Sequence, residues 1–515
     1  MFQALIPLLA SCVPLAFVLA ALFAPRVAPL RRASHASALA LVLALVVALA
    51  TLLTGEVVPT RWIWLDTPSV VMLVLVCVLA QVVVHFSRSY LARDPGERRY
   101  ARALLVALAS VTTVVLAGDL LVVAAAWMTT GMALQPLLTH FPERRAARIA
   151  AHEKFLLSRL GDLCMLGALL LLGLAVGSLE LAAVHAWAQA RGELPLLAHA
   201  ATLLLVVAVW LKSAQLPVHG WLTRVMEAPT PVSALLHAGV VNLGGFVLIR
   251  LAPLLDHAPL ARLLLVAVGV TSMVGGGLVM ATRASVKSTL AWSTIAQLGF
   301  MLAQCGLGLW HLALLHLVAH SLYKAHAFLR SSSRVEVWRS ESLLPAAPPS
   351  LARVLVCAAL ALVAVALVDR LAGGVLGPLV VVLGLGLAPL LERASQRGSR
   401  VLALALLGAA GIVLLTLVWH RLAALTLVSA GVSTSLWSQL GWTMLLAGFV
   451  LLFVLASVLQ TRPEGPLATL LRPHLAAGLY LGDRFTRLTF RWWPPNTAAP
   501  AEPGAAAARQ PEIAR

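Results

Sequence analysis

The sequence predicts an all-α polytopic membrane protein: about fifteen transmembrane helices, with one broken helix near residues 210–231. Three observations predict it. The 515-residue chain is 61% hydrophobic and 11% charged, whereas soluble domains are about 25% charged. Apolar runs of about 17 to 23 residues recur from end to end, enough to cross a bilayer core as helices. The stretch WLKSAQLPVHGWLTRVMEAPTPVSALLHAG, residues 210–239, sets a lysine, two histidines, a glutamate and three prolines between strongly apolar flanks.

In chain order the predicted spans are 3–24, 36–54, 69–86, 102–118, 120–140, 154–176, 198–216, 232–252, 260–282, 286–306, 310–329, 351–371, 374–391, 401–420 and 441–459. The first lacks a basic leader, so it reads as a membrane helix and not a cleaved signal peptide. Residues 217–231 read as a broken, partly re-entrant element. Residues 1–101 form an N-terminal helical region, 102–340 a translocation core, and 341–460 a C-terminal group of helices. Residues 461–495 form an interfacial amphipathic segment and 496–515 a disordered Ala- and Pro-rich tail.

Arginine sets the orientation. Arg26, Arg31 and Arg32 follow span 1; Arg88, Arg93, Arg98, Arg99 and Arg102 follow span 3; Arg144, Arg145, Arg148 and Lys154 follow span 5. Arg283 and Lys287, then Arg330, Arg334 and Arg339, then Arg393, Arg397 and Arg400 continue the alternation. The intervening connections are poor in charge or balanced. The positive-inside rule puts the N-terminus outside and the C-terminus in the cytoplasm. The net charge of +18 therefore faces anionic lipid. No nucleic-acid motif accompanies it. The five cysteines are scattered, without zinc or disulfide spacing, and read as small buried residues.

Of 38 basic residues, 34 are arginine and only four are lysine: Lys154, Lys212, Lys287 and Lys324. The four lysines are candidates for sites where arginine does not serve. A poorly solvated lysine can release its proton, which arginine cannot. Lys154 reads as an interfacial residue that snorkels to the headgroups; Lys212 follows a long apolar run. His316, His320 and Lys324 recur at i, i+4, i+8 and line one stripe of a helix. Intramembrane ionisable groups are expensive and mark function by default. His237, Glu227 and the Arg159/Asp162 pair add to the set, although Arg159 and Asp162 at i, i+3 also suit a purely structural ion pair. Broken helices beside charges mark ion sites in transporters. The residues by themselves describe a carrier of protons or small cations.

KSAQLPVHGWL…MEAPTPVSALLHAG resembles the broken-helix signature of the antiporter-like subunits of respiratory complex I and of Mrp sodium/proton antiporters. SVKSTLAWSTIAQLGFM (285–301) and HLVAHSLYKAHAFL (316–329) resemble their next two markers. The resemblance implies an antiporter-like bundle with a polar axis of Lys212, Lys287, Lys324, His237, His316 and His320, in which Lys212 switches protonation state. Three departures stand out. Trp127-Met128-Thr129-Thr130-Gly131 has methionine where that family has glutamate, which leaves Asp162 or Glu227 as its replacement. No lysine follows Lys324, and Asp369 is the nearest acidic candidate. By its length the chain is not expected to hold the long lateral helix and extra span of the distal complex I subunit.

With HAGVVNLGGFVLIRLAPLL (237–255), KFLLSRLGDL (154–163) and LAAGLYLGDRFTRLTFRWWPP (475–495), these departures resemble the DabB family, the membrane subunits of two-component inorganic-carbon transporters. That resemblance implies a transporter subunit and not an enzyme. It implies a cation flux, H+ or Na+, that drives a cytoplasmic, carbonic-anhydrase-like zinc partner of the DabA type. Zinc is expected in the partner and no cofactor in this chain, which has no catalytic cluster of Cys, His and carboxylate ligands. Two other readings stay open: an ordinary subunit of a complex I, hydrogenase or Mrp assembly, and a non-conducting membrane anchor for an enzyme. The tail, with Arg472, Arg484, Arg487 and Arg491 among Tyr480, Phe485, Phe490, Trp492 and Trp493, suits either partner docking or simple anchoring in the interface.

The orientation is directly testable. A reporter fused after residue 460 is expected in the cytoplasm and one fused at residue 2 outside. Both reporters on one side would contradict an odd number of spans.

Overall fold

The structure is a computed structural model that describes residues 2–55, 58–331, 349–426 and 435–494. The predicted tail 496–515, and Arg334 and Arg339, lie outside the described residues. Helices α1 (Phe2–Leu22) and α2 (Pro29–Thr54) precede a short antiparallel hairpin, β1 (Val58–Pro59) with β2 (Trp64–Leu65), which pairs Val58 with Leu65. Helices α3 (Thr67–Tyr90), α4 (Glu97–Leu116), α5 (Leu120–Leu138) and α6 (Arg145–Val176) follow. Asp66 and Asp119 accept from Ser69 N at 2.9 Å and Leu121 N at 2.8 Å, which starts α3 and α5 where the orphan amides need acceptors. The 32 residues of α6 extend about 48 Å, well beyond a 30 Å hydrocarbon core. Its first turns therefore stand on the arginine-rich face.

Helices α7 (Leu181–Gln189) and α8 (Leu196–Lys212) lead into the break. Beyond it come α9 (Gly220–Arg224), a 3-10 turn Val225–Glu227, α10 (Thr230–Ala238), a second 3-10 turn Val240–Asn242, α11 (Leu243–Arg250) and α12 (Ala252–Leu255). Helices α13 (Pro259–Met280), α14 (Val286–Gly306) and α15 (Trp310–Leu329) complete the first half. The second half holds α16 (Leu351–Leu371), α17 (Leu379–Gln396), α18 (Ser399–Thr426) and α19 (Leu436–Thr461). Helices α20 (Pro466–Ala476) and α21 (Leu481–Trp492) end the described chain.

Among the described residues, twelve helical segments are long and apolar enough to span a bilayer. The predicted spans 198–216, 286–306 and 310–329 correspond to α8, α14 and α15. These three helices carry Lys212, Lys287 and Lys324; α8 falls among the shorter apolar helices. Two expectations change. The predicted span 232–252 is present as Thr230–Arg250 but is not one unbroken helix, because the 3-10 turn interrupts it after Gly239. Span 374–391 starts instead at Leu379, because Gly373, Gly374 and Gly377 take left-handed φ values of 92°, 72° and 51° and make a turn.

Burial grades outward from the break. Of the most apolar 18 residues in each segment, 89% are buried in α10–α11 and only 17% in α18. Lipid gives no hydrophobic drive for helix association, so small residues and close backbone approach must supply the packing. Helices α13 and α14 do this with Gly269, Gly276, Gly299 and Gly306. A Cβ on Gly269 would lie 2.5 Å from Gly299 O, and one on Gly306 would lie 2.6 Å from Arg262 O. Overpacking of this kind costs about 1–3 kcal/mol or more. Gly299→Leu is therefore expected to lower the thermal midpoint in detergent by several degrees. Gly386→Ala on α17, where a Cβ meets no atom within 4 Å, is expected to leave it unchanged. Equal midpoints for the two variants would refute the packing argument.

Candidate functional site

The backbone freed by the break after α8 is satisfied by side chains. Leu216 N donates to Ser272 Oγ at 3.1 Å, and Trp210 Nε1 donates to Leu216 O at 2.9 Å. Gln215 Nε2 donates to Ser213 O at 3.0 Å. Unpaired backbone in a hydrocarbon layer costs several kcal/mol per group, so this network lets α8 stop at Lys212.

Lys212 turns its ammonium onto α6. Its Nζ lies 2.5 Å from Asp162 Oδ1, while Arg159 Nη2 lies 2.7 Å from Asp162 Oδ2. The Lys212 and Asp162 side chains are only 7% and 4% exposed, so the pair is shielded from solvent screening. Gly161 makes the crossing possible: a Cβ there would come within 3.1 Å of Lys212 Cγ. The Trp127 ring covers the ammonium at 4.4 Å, a cation–π contact. Lys154 is buried, 4% exposed, and its Nζ donates to Gly131 O. It does not snorkel to the surface as expected. Three bases, Lys154, Arg159 and Lys212, thus gather around the single carboxylate of Asp162.

Asp162 is therefore the acid that meets Lys212, beside the Met128 stretch. The pairing makes Arg159/Asp162 more than an isolated i, i+3 ion pair. Glu227, the other replacement expected, is half exposed and pairs with Arg144 at 3.5 Å on the arginine-rich face. It makes no ion pair with Lys212.

A second cluster lies across α10, α14 and α15. Lys324 is fully buried; its Nζ donates to Leu290 O at 2.9 Å and to Ser293 Oγ. None of the ion pairs among the described residues includes Lys324 or Lys287. His237 Nδ1 lies 3.0 Å from Thr294 Oγ1, and its ring stacks on Phe328 at 4.4 Å. His320 Nδ1 lies 3.4 Å from Asn242 Nδ2, and the His316 ring sits 6.1 Å from that of His320. His316 Nδ1 is 3.0 Å from Gln304 Oε1. Lys287, half buried, donates to Thr230 Oγ1 at 3.1 Å.

Among the described residues, buried polar atoms without a protein partner occur at both clusters: Ser213 Oγ and Gln215 Oε1 beside Lys212, and Ser233 Oγ, His237 Nε2, Asn242 Oδ1 and His320 Nε2 at the second. Buried polar groups are rarely left unsatisfied, and water is the usual partner. Asn242 and Thr294 were not singled out in the sequence, although an asparagine inside VVNLGG is a signal of its own. Among the described residues no group of three or more His, Cys, Asp or Glu is placed to hold a metal.

The sequence also did not disclose a latch at the arginine-rich face. Arg224 Nη1 donates to Glu153 Oε1 and Oε2 at 2.9 and 2.7 Å, and its Nη2 lies 3.2 Å from Asp483 on α21. Thr486 Oγ1 donates to Glu153 Oε1. Glu153, 0% exposed, precedes Lys154 on α6, so the tail helix, α9 and the lysine cluster share one turn of α6.

Residues 117–375 match the family described as NADH:quinone oxidoreductase/Mrp antiporter, TM. Residues 55–101 match the N-terminal region of complex I chain 5. The chain is 39% identical over 84% of its length, and 84% of the relative's, to a probable inorganic carbon transporter subunit DabB of Hydrogenovibrio crunogenus. It is 38% identical over 82% of its length to DabB2 of Halothiobacillus neapolitanus, covering 78% of that protein. NADH-quinone oxidoreductase subunit L of Mycobacterium tuberculosis is 32% identical over 54% of the chain and 44% of that subunit. A structure of the Mrp complex from Dietzia superposes with a TM-score of 0.56 at 24% identity, covering 97% of this chain and 57% of that one, and shows the same fold. The chain belongs to this family of antiporter-like membrane subunits, on the branch that holds the DabB subunits. It is thus a multi-pass membrane protein and a transporter subunit.

The latch has a measurable consequence. Glu153→Gln removes the charge that holds Arg224 and is expected to speed proteolysis between α19 and α21 several-fold. Arg484→Gln, on the exposed side of α21, is expected to leave the rate unchanged. Equal rates in both variants would mean that Glu153 does not hold the tail.

Proposed function

We propose that this chain is the proton-conducting membrane subunit of an inorganic-carbon transporter, with a path through Lys212, His237, His320, Lys324 and His316. The observation that carries the reading is the cluster in which Lys212 and Arg159 both pair with Asp162, with Lys154 close by. Arginine keeps its proton, so Arg159 neutralises Asp162 whether or not Lys212 is charged. When Lys212 is neutral the Arg159–Asp162–Lys212 set has net charge zero; when protonated it has one excess positive charge. Charge excess in a low-dielectric site favours release, and the neighbouring Lys154 adds to it. The released proton leaves towards the arginine-rich face, and its replacement arrives from His237 and the α15 stripe along water at the unpartnered polar atoms. Lys287 serves as the lysine nearest the arginine-rich face. Glu227 remains at that face with Arg144, outside the buried relay.

The naming of the DabB relatives supports coupling to carbon uptake. In this reading a DabA-like cytoplasmic zinc protein hydrates CO2 or traps bicarbonate, and proton entry drives it. The chain lies in the bacterial inner membrane, N-terminus outside and C-terminus cytoplasmic, with α21 on the partner's side. The family also holds complex I and Mrp subunits, and the relationship to NADH-quinone oxidoreductase subunit L keeps a place in such an assembly as the second reading.

The test separates proton release from charge alone. Lys212→Arg keeps the charge and cannot release its proton; Lys212→Ala keeps neither. Both are expected to abolish growth of an uptake-deficient host at ambient CO2 while co-purification with the partner persists. Asp162→Asn is expected to lose function and also stability, because orphaning a buried charge costs about 3–5 kcal/mol. Normal growth with Lys212→Arg would reject the proton-switch reading.

A further inference from the structure

No lysine follows Lys324 in the chain, so the path needs another way out of the α15 stripe. His311 lies on the first turn of α15, thirteen residues before Lys324, about 20 Å along the helix axis. That is more than half of a 30 Å hydrocarbon core. It brings His311 to the face opposite the arginine-rich connections. There His311, 5% exposed, meets His420 of α18. Its Nε2 lies 3.2 Å from His420 Nδ1 and 3.3 Å from His420 Nε2, with the rings edge to face at 4.4 Å. We propose that His311 and His420 form the terminal relay of the proton path, passing protons between the α15 histidine stripe and the surface at Asp369. The inference rests on the conducting role proposed above, with the proton as the ion.

Three observations carry it. First, α18 is otherwise the most lipid-facing of the apolar spans, and a polar group turned inward from such a helix is expensive unless it is used. Second, the pair is not needed to fasten α18 to α15, because Trp419 Nε1 already donates to His311 O at 2.8 Å. Third, His420 stands within electrostatic reach of Asp369, a 7% exposed carboxylate at the end of α16 whose Oδ1 accepts from Leu376 N at 2.7 Å. Arg421 caps the same corner, donating to Ala372 O. A His–His contact, a nearby carboxylate and a partly exposed His420 are what a proton needs to cross that face.

The step balances. For an entering proton, water at that face protonates the outward nitrogen of neutral His420. The proton on the His420 nitrogen that faces His311 then passes to His311 Nε2. The resulting His311 imidazolium gives up its proton at Nδ1, a buried atom with no partner among the described residues, to water leading to His316. Both imidazoles are left neutral and reset by ring rotation or tautomer exchange. Only N–H bonds and the O–H bonds of water break and form. From His316 to His311 the rise is about 7.5 Å, longer than a hydrogen bond, so this step runs through intervening water.

The experiment uses the full chain, co-expressed with its partner and reconstituted in liposomes. Proton current is driven by a potassium diffusion potential. His311→Gln and His420→Ala are each expected to lower the current about tenfold or more. Because His420 is only partly buried, imidazole added at that face is expected to restore the His420→Ala current in proportion to its concentration. A packing role would not respond to imidazole. Wild-type current in both variants, with loss in Lys212→Ala, overturns this inference and leaves the conducting role standing. So does loss of current that imidazole does not restore in a correctly assembled His420→Ala complex. No proton current in the wild type overturns the conducting role and this inference together.

Discussion

An ionised side chain within a bilayer must be matched by charge or hydrogen bonds, and the pairing of Lys212 with Asp162 is the match on which the site depends. A charged group at the centre of an isolated helix costs about 2.5–3.5 kcal/mol by insertion scales. Here the cost is met by Asp162, by the Trp127 ring and by the glycine that clears the way at Gly161. The backbone break follows from the same constraint. Helix α8 stops at Lys212, and Ser272 and Trp210 satisfy the backbone that the break frees.

Close packing and looseness are divided between regions. Helices α13 and α14 meet backbone to backbone at their glycines and make a rigid wall behind the break. In front of it lie short helices, two 3-10 turns and, among the described residues, several unsatisfied polar atoms. Local irregularity at a site is tolerable where a packed frame holds it. The latch of Glu153, Arg224, Asp483 and Thr486 links this frame to the tail helix. A load on α21 therefore acts on the α6 turn that also bears Lys154.

Much of the fold was legible because its signal is local. Span length and apolarity are written in consecutive residues, and an arginine-rich composition made four lysines conspicuous. The histidine stripe of α15 follows from helical periodicity alone. The break was readable from Pro217, Pro229 and Pro231; the second interruption after Gly239 was not, since glycine alone does not break a helix. The start of α17 was misplaced because the left-handed turn at Gly373, Gly374 and Gly377 looks apolar in sequence.

The sequence by itself determined a polytopic helical protein, the residues that bear charge within it, and the family signature. Only the tertiary structure decided their partners. Asp162 and Glu227 were equal candidates for Lys212 until packing of α6 against α8 brought one carboxylate to 2.5 Å and left the other at the surface with Arg144. Lys154 read as interfacial until α5 presented Gly131 O to it. His311 and His420 were unremarked because they lie on helices far apart in the chain. Pairing energy depends on separation and local dielectric, and both are set by how helices cross, which no run of consecutive residues encodes.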